Sequence, residues 1–157
     1  MRIPTLDQFP PRPGAYILGL RLTVPLVPGV PPGAGLSLMP GWYAYCGSAQ
    51  GPGGLRARLR RHARWGKKVH WHVDRVTQIT GVSWALAQVN GDEHQLLAVL
   101  TDFPGVRVPI PRFGASDCRT CPAHLVALPP GLGAAQIVTQ VSADAEDIYI
   151  WKDTTQP

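Results

Sequence analysis

Between Pro10 and Gly41, 14 residues are glycine or proline, and that density limits the architecture more than any other feature of the chain. Proline fixes φ and removes a backbone donor, while glycine loses the most conformational entropy on ordering. Within that stretch Ala15–Val24 (AYILGLRLTV) alternates loosely and has the aliphatic and aromatic content of a strand. Pro25 to Gly41 reads as a loop or irregular hairpin, with Leu36–Met39 as a short strand. The enrichment is local: with 45% hydrophobic residues in 157, the chain as a whole has globular composition and the length of one domain.

Trp42–Cys46 (WYAYC) reads as a second strand, and Gly47 to Gly54 cannot stay regular. Leu55, Leu59 and Ala63 fall at i, i+4, i+8 of a helix over Leu55–Trp65. Arg58, His62 and Trp65 occupy a neighbouring face, so Arg58 and His62 can act together. A second helix is expected over Val69–Gln78 and a third strand over Val82–Val89. Asp92 is a suitable N-cap for a helix through about Leu100, with Glu93 at its positive end. A Pro-interrupted strand (Val106–Ile110), a loop (Phe113–Pro122) and a short strand (His124–Leu128) follow. The tail carries Asp144, Glu146 and Asp147 and ends in an apolar patch, Ile148–Trp151. The order β-β-α-α-β-α indicates a small α/β (α+β) domain.

No apolar run approaches the roughly 20 residues of a membrane-spanning helix, and no charged, then apolar, leader opens the sequence. Three cysteines cannot all pair with one another. A cytoplasmic protein in a reducing compartment, with no membrane partner, is the expectation.

Charge is concentrated. Residues 56–75 carry a net +7, from Arg56, Arg58, Arg60, Arg61, Arg64, Lys67, Lys68 and Arg75 against Asp74, whereas the rest of the chain sums to −2. A patch of this kind can neutralise phosphates and steer a polyanion. It can equally be a solvated helix face. Trp65 and Trp71 lie within it, either as stacking platforms for bases or as core anchors.

Gly14-Ala15-Tyr16 and Tyr45-Cys46-Gly47 resemble the paired motifs that name the GIY-YIG nucleases. Gly47-Ser48-Ala49, the glycine-rich turn and Leu55-x-x-Arg58-Leu59-x-x-His62 look like that superfamily's first helix, with its essential arginine and frequent histidine. Glu93 opens a helix after the third strand, where the family keeps a metal-binding carboxylate. Lys67-Lys68-Val69-His70-Trp71-His72-Val73-Asp74, Phe113-Gly114-Ala115-Ser116-Asp117-Cys118 and His124-Leu125 resemble a compact branch found alone or fused to glycosylases of the endonuclease III type. The interval from Tyr16 to Tyr45 is longer than in repair and homing nucleases, Cys118 and Cys121 are one residue further apart than is usual, and His94 stands where a cysteine is common.

The resemblance implies a mostly antiparallel sheet of about three core strands flanked by helices, with an extra hairpin. The proline-rich residues 1–13 read as an arm; the resemblance sets a domain over 14–128 and leaves a tail over 129–157 packed on it or extending it. It further implies a metal-dependent endonuclease acting on nucleic acid, DNA rather than RNA, with an association with DNA repair. One Mg2+ or Mn2+ ion would sit on Glu93, Arg58 would hold the scissile phosphate, and Tyr16 would be the general base. Tyr45 would position water or phosphate, with His62 relaying a proton. Ser48, Arg56, Arg60, Arg61, Arg64, Lys67, Lys68, His70 and His72 would contact the nucleic acid. Each residue also has an ordinary structural role open to it. The alternatives are a non-catalytic nucleic-acid-binding module and a zinc-stabilised interaction domain.

The last of these rests on Cys118-x2-Cys121-x2-His124, whose sulfur and imidazole donors suit Zn2+ better than Mg2+. His70 and His72 are possible fourth ligands, although on a helix two residues apart they would not share a face. Structural thiols beside a packed histidine are the competing reading.

Overall fold

The computed structural model describes residues 6–31, 33–115, 118–143 and 146–154; Ser116, Asp117 and Asp144, named above, lie outside them. The first strand, β1 (Gly14–Leu22), is followed by β2 (Gly41–Ala49), α1 (Gly54–Ala63) and α2 (Asp74–Thr80). Then come β3 (Trp84–Val89), α3 (Glu93–Asp102), β4 (Leu125–Leu128), α4 (Ala134–Ser142) and β5 (Ile148–Lys152). The five strands form one sheet in the order β4-β2-β1-β3-β5, with every pairing antiparallel. The fold is α+β, with two more strands than the expected three.

β1 is central, and strand alternation divides its side chains between two cores. Tyr16, Leu18, Leu20 and Leu22 face Leu55 and Leu59 of α1 and Val76 of α2. Ala15 and Ile17 face Leu96, Leu97 and Leu100 of α3 and Ile137 and Val141 of α4. Covered on both faces, the strand reads as a nearly continuous apolar run. Gly19 is required by a neighbour: a Cβ there would lie 2.0 Å from the indole of Trp84, its partner on β3.

The expected arm is docked. Leu6–Gln8 forms a 3-10 turn and Phe9 is fully buried. The carbonyls of Arg12 and Pro10 accept from the N–H groups of Leu55 (2.9 Å) and Arg56 (3.2 Å). These are donors that the first turn of a helix leaves unpaired. The segment therefore closes the N-terminus of α1, which has no side-chain cap.

Several boundaries differ from the sequence reading. The extra hairpin is reduced to one bridge, Leu26 to Leu38, because prolines interrupt both sides of it. Val106–Ile110 likewise makes only the bridge Arg107 to Ala127, since Pro109 and Pro111 have no N–H for a ladder. The second helix begins at Asp74 rather than Val69. The Asp74 carboxylate accepts from the N–H of His70 (2.8 Å) and Trp71 (2.9 Å), a local bond that competes with helix. The tail extends the domain through α4, which was not expected, and through β5, whose Trp151 is buried against the first core. Among the described residues no helix is long and apolar enough to cross a membrane.

Candidate active site

Tyr16 of β1 and Tyr45 of β2 project into one cleft of about 250 Å³, together with Arg58 and His62 of α1 and Glu93 of α3. Sheet register sets the first of these. Tyr16 lies opposite Gly47, and a Cβ on Gly47 would come within 2.4 Å of the Tyr16 hydroxyl. The missing side chain makes the space that the phenol occupies.

Tyr16 Oη and His62 Nε2 are 2.7 Å apart. Burial lowers the His62 pKa to about 3, so the ring is neutral near pH 7. Burial likewise pushes the Tyr16 phenol well above its ordinary value, with Arg58 acting in the opposite direction. The phenol therefore keeps its proton and donates to Nε2, which assigns the imidazole proton to Nδ1. Nδ1 is buried without a hydrogen-bond partner among the described residues. Tyr45 is also buried, its pKa raised by that burial, and its ring lies 6.4 Å from that of His62.

Arg58 is held on two sides. Its Nη1 donates to the Ser48 carbonyl at 3.0 Å, and its guanidinium lies 4.3 Å from the ring centre of Trp71. Arg61, one turn on, approaches the same ring at 4.1 Å. Trp71 thus braces two arginines at the cleft, while Trp65 is exposed.

The remaining basic residues divide sharply. Arg61 makes a two-pronged pair with the buried Asp74, at 2.9 and 2.8 Å. Burial alone would raise the pKa of Asp74; Arg61 and the N–H groups of Trp71 and His70 outweigh it and hold the carboxyl at about 2. Arg60 pairs with Asp7, and Arg56 donates to the Phe9 carbonyl at 2.8 Å. Lys67, expected to contact nucleic acid, is buried. Its ammonium donates to the carbonyls of His62 (2.9 Å) and Arg64 (3.1 Å), where it satisfies acceptors at the end of α1. Arg64 and Lys68 are exposed.

His70 and His72 belong to the turn before α2, so the helical argument against a shared face does not apply; both line the cleft. His72 Nδ1 accepts from the Gly114 N–H at 3.1 Å, and burial lowers its pKa. Gly114 has φ +72, and a Cβ there would meet the Tyr45 ring at 2.8 Å. Its role in setting this wall was not anticipated, although an isolated glycine beside an aromatic was a visible signal.

Glu93 is the first residue of α3, behind the Asp92 cap whose carboxylate accepts from the His94 N–H at 2.8 Å. Its carboxylate lies 3.6 Å from His124 Nδ1 and 3.9 Å from His94 Nε2. Donor atoms of His94, Cys118, Cys121 and His124 all lie within 4.8 Å of one another, a group able to hold a metal ion. His94 takes the place considered for His70 or His72. Cys118 and Cys121 are joined as a disulfide, Cα–Cα 5.7 Å, rather than standing as separate thiols; Cys46 is a buried free cysteine.

Searches of curated proteins and of solved structures find no match to the chain. A family model described as "Domain of unknown function DUF123" matches residues 15–146, from the second residue of β1 to just short of β5. With most of its length, and every residue of the cleft, inside that match, the chain belongs to the DUF123 family.

Proposed function

We propose that the cleft is the active site of a GIY-YIG-like nuclease that hydrolyses phosphodiester bonds in nucleic acid, DNA rather than RNA, with a divalent cation. The observation that carries this reading is convergence: Tyr16, Tyr45, Arg58, His62 and Glu93, drawn from four elements, line one cleft. Glu93 suits a hard cation, since its carboxylate is partly exposed and faces a space large enough for retained waters. A Mg2+ or Mn2+ ion held there would supply Lewis-acid stabilisation of the phosphoryl oxygens.

The residues divide the remaining work. Arg58, preset by Ser48 and Trp71, presents a fixed positive charge to the phosphate without having to be ordered during the reaction. Tyr16 can accept the proton of an attacking water only as it gives up its own. The 2.7 Å contact to a neutral His62 Nε2 is the route for that second transfer. Burial disfavours the imidazolium so formed, whereas a bound phosphodiester anion favours it. The relay is therefore engaged by substrate.

The test is cleavage of labelled single-stranded, duplex and branched DNA and of structured RNA, in Mg2+, Mn2+ or EDTA. Metal-dependent cutting is expected, falling at least 100-fold in Arg58→Ala with binding changed less than tenfold, and lost in Glu93→Gln. Binding without cutting would instead favour a non-catalytic module. Equal loss of cutting and binding in Arg58→Ala would make that residue a phosphate anchor only.

A further inference from the structure

We propose that His94, Cys118, Cys121 and His124 form a zinc site that ties the start of α3 to the loop before β4. Its four ligands are none of the residues assigned to hydrolysis, although His94, Cys118 and His124 line the same cleft and Glu93 stands beside His124. One donor atom from each residue lies within 4.8 Å of the other three. A tetrahedral Zn2+ with bonds of about 2.0–2.3 Å places its ligands about 3.3–3.8 Å apart, so closing the group requires reduction of the Cys118–Cys121 disulfide and then side-chain adjustment. His94 is exposed and can supply it.

Three surrounding features have the character of support for a metal site. Each imidazole has its Nδ1 beside a carboxylate: His124 is 3.6 Å from Glu93, and His94 is 3.3 Å from Asp92. A carboxylate beside a ring nitrogen is the usual means of steadying a metal-bound histidine. The Cys121 N–H donates to Cys118 Sγ at 3.2 Å, a contact that stabilises thiolate charge. Arg112 fixes the loop from behind. It donates to the carbonyls of Cys121 (2.6 Å), Ala115 (2.7 Å) and Cys118.

The disulfide is the metal-free, oxidised form of the same pair. A dithiol reductant supplies two electrons and two protons, becoming a disulfide itself, and leaves two thiols. On Zn2+ binding both thiols release their protons to solvent. Two thiolates then neutralise the dication, and two imidazoles complete the soft donor set that favours zinc over magnesium.

The experiment titrates Co2+, then Zn2+, into the full chain reduced by dithiothreitol and exchanged anaerobically into metal-free buffer. One equivalent of Co2+ is expected to give intense tetrahedral d–d bands and thiolate-to-cobalt charge transfer, displaced stoichiometrically by Zn2+. Cys118→Ser should abolish at least half of the charge-transfer intensity, and His94→Ala should weaken Zn2+ binding at least tenfold. Cys46→Ala, with a fold verified by circular dichroism, should titrate like the parent. A weak octahedral cobalt spectrum overturns the site. So does charge transfer that survives in Cys118→Ser or disappears in Cys46→Ala. Unchanged affinity in His94→Ala overturns the four-residue ligand set. Absence of cobalt binding by the fully reduced chain, verified by thiol titration, overturns the proposal altogether.

Discussion

Gly47 and Tyr16 share one small volume: the phenol fills the space that any side chain at residue 47 would need. Gly47→Ala is expected to displace the phenol, break its contact with His62 Nε2 and cost about 1–3 kcal/mol, measured by urea unfolding at pH 7. Cutting should fall with it. His62 carries a pH dependence of its own. Its folded pKa of about 3 lies below the unfolded value near 6.5, so the unfolded chain binds more protons between those limits. Stability should therefore fall as pH drops from about 6.5 towards 3, by an amount on the order of 4 kcal/mol over the window. His62→Gln, which cannot titrate, should show a flatter profile there; an unchanged slope would place the titrating group elsewhere.

The start of α2 depends on one carboxylate. Asp74 collects the Arg61 guanidinium and the N–H groups of His70 and Trp71, and so holds the turn that carries His70, Trp71 and His72 to the cleft. Asp74→Asn leaves Arg61 without its counter-charge and should destabilise the protein by about 3 kcal/mol. Because the folded pKa is depressed, this contribution is complete above about pH 4 and disappears as pH falls through 2. The stability gap between parent and variant should close over that interval in acid-unfolding measurements. The same carboxylate explains a limit of sequence reading. Val69–Gln78 was expected as one helix, but the bonds from the His70 and Trp71 N–H groups to the Asp74 carboxylate, which Arg61 holds in place, make a turn of the segment before Asp74. Periodicity carried α1, the Asp92 cap carried α3, and strand composition carried β1, β2 and β3, because these signals are local to each element. α4 and β5 were less legible: β5 is defined by pairing with β3 and α4 by the core beyond β3, partners distant in sequence. At the site, Arg58 and His62 were legible from i, i+4 spacing. His94 was not grouped with the cysteines, since nothing local connects α3 to the loop before β4.

At the scale of the molecule, the sequence suggested a basic surface of +7, and the fold redistributes it. Asp7 and Asp74 compensate Arg60 and Arg61, Lys67 turns inward onto two carbonyls, and Arg56 and Arg75 are tied to the carbonyls of Phe9 and Pro28. Arg58 remains at the cleft, with Arg64 and Lys68 exposed on the same stretch of chain. Counterion release scales with the phosphates that are neutralised, at about 0.9 per contact on duplex DNA. Three such contacts give a slope of log K against log salt near about −3, where all eight cations of residues 56–75 would give about −7. Fluorescence anisotropy across a salt series distinguishes these values. Arg64→Ala and Lys68→Ala should each make the slope shallower by about 1 without loss of stability. Lys67→Ala should leave the slope unchanged yet lower the unfolding midpoint, since it removes two hydrogen bonds from the end of α1. A slope that steepens towards −7, or one that responds to Lys67 and not to Arg64, would overturn the proposal that nucleic acid binds on the face that this arrangement of charge selects.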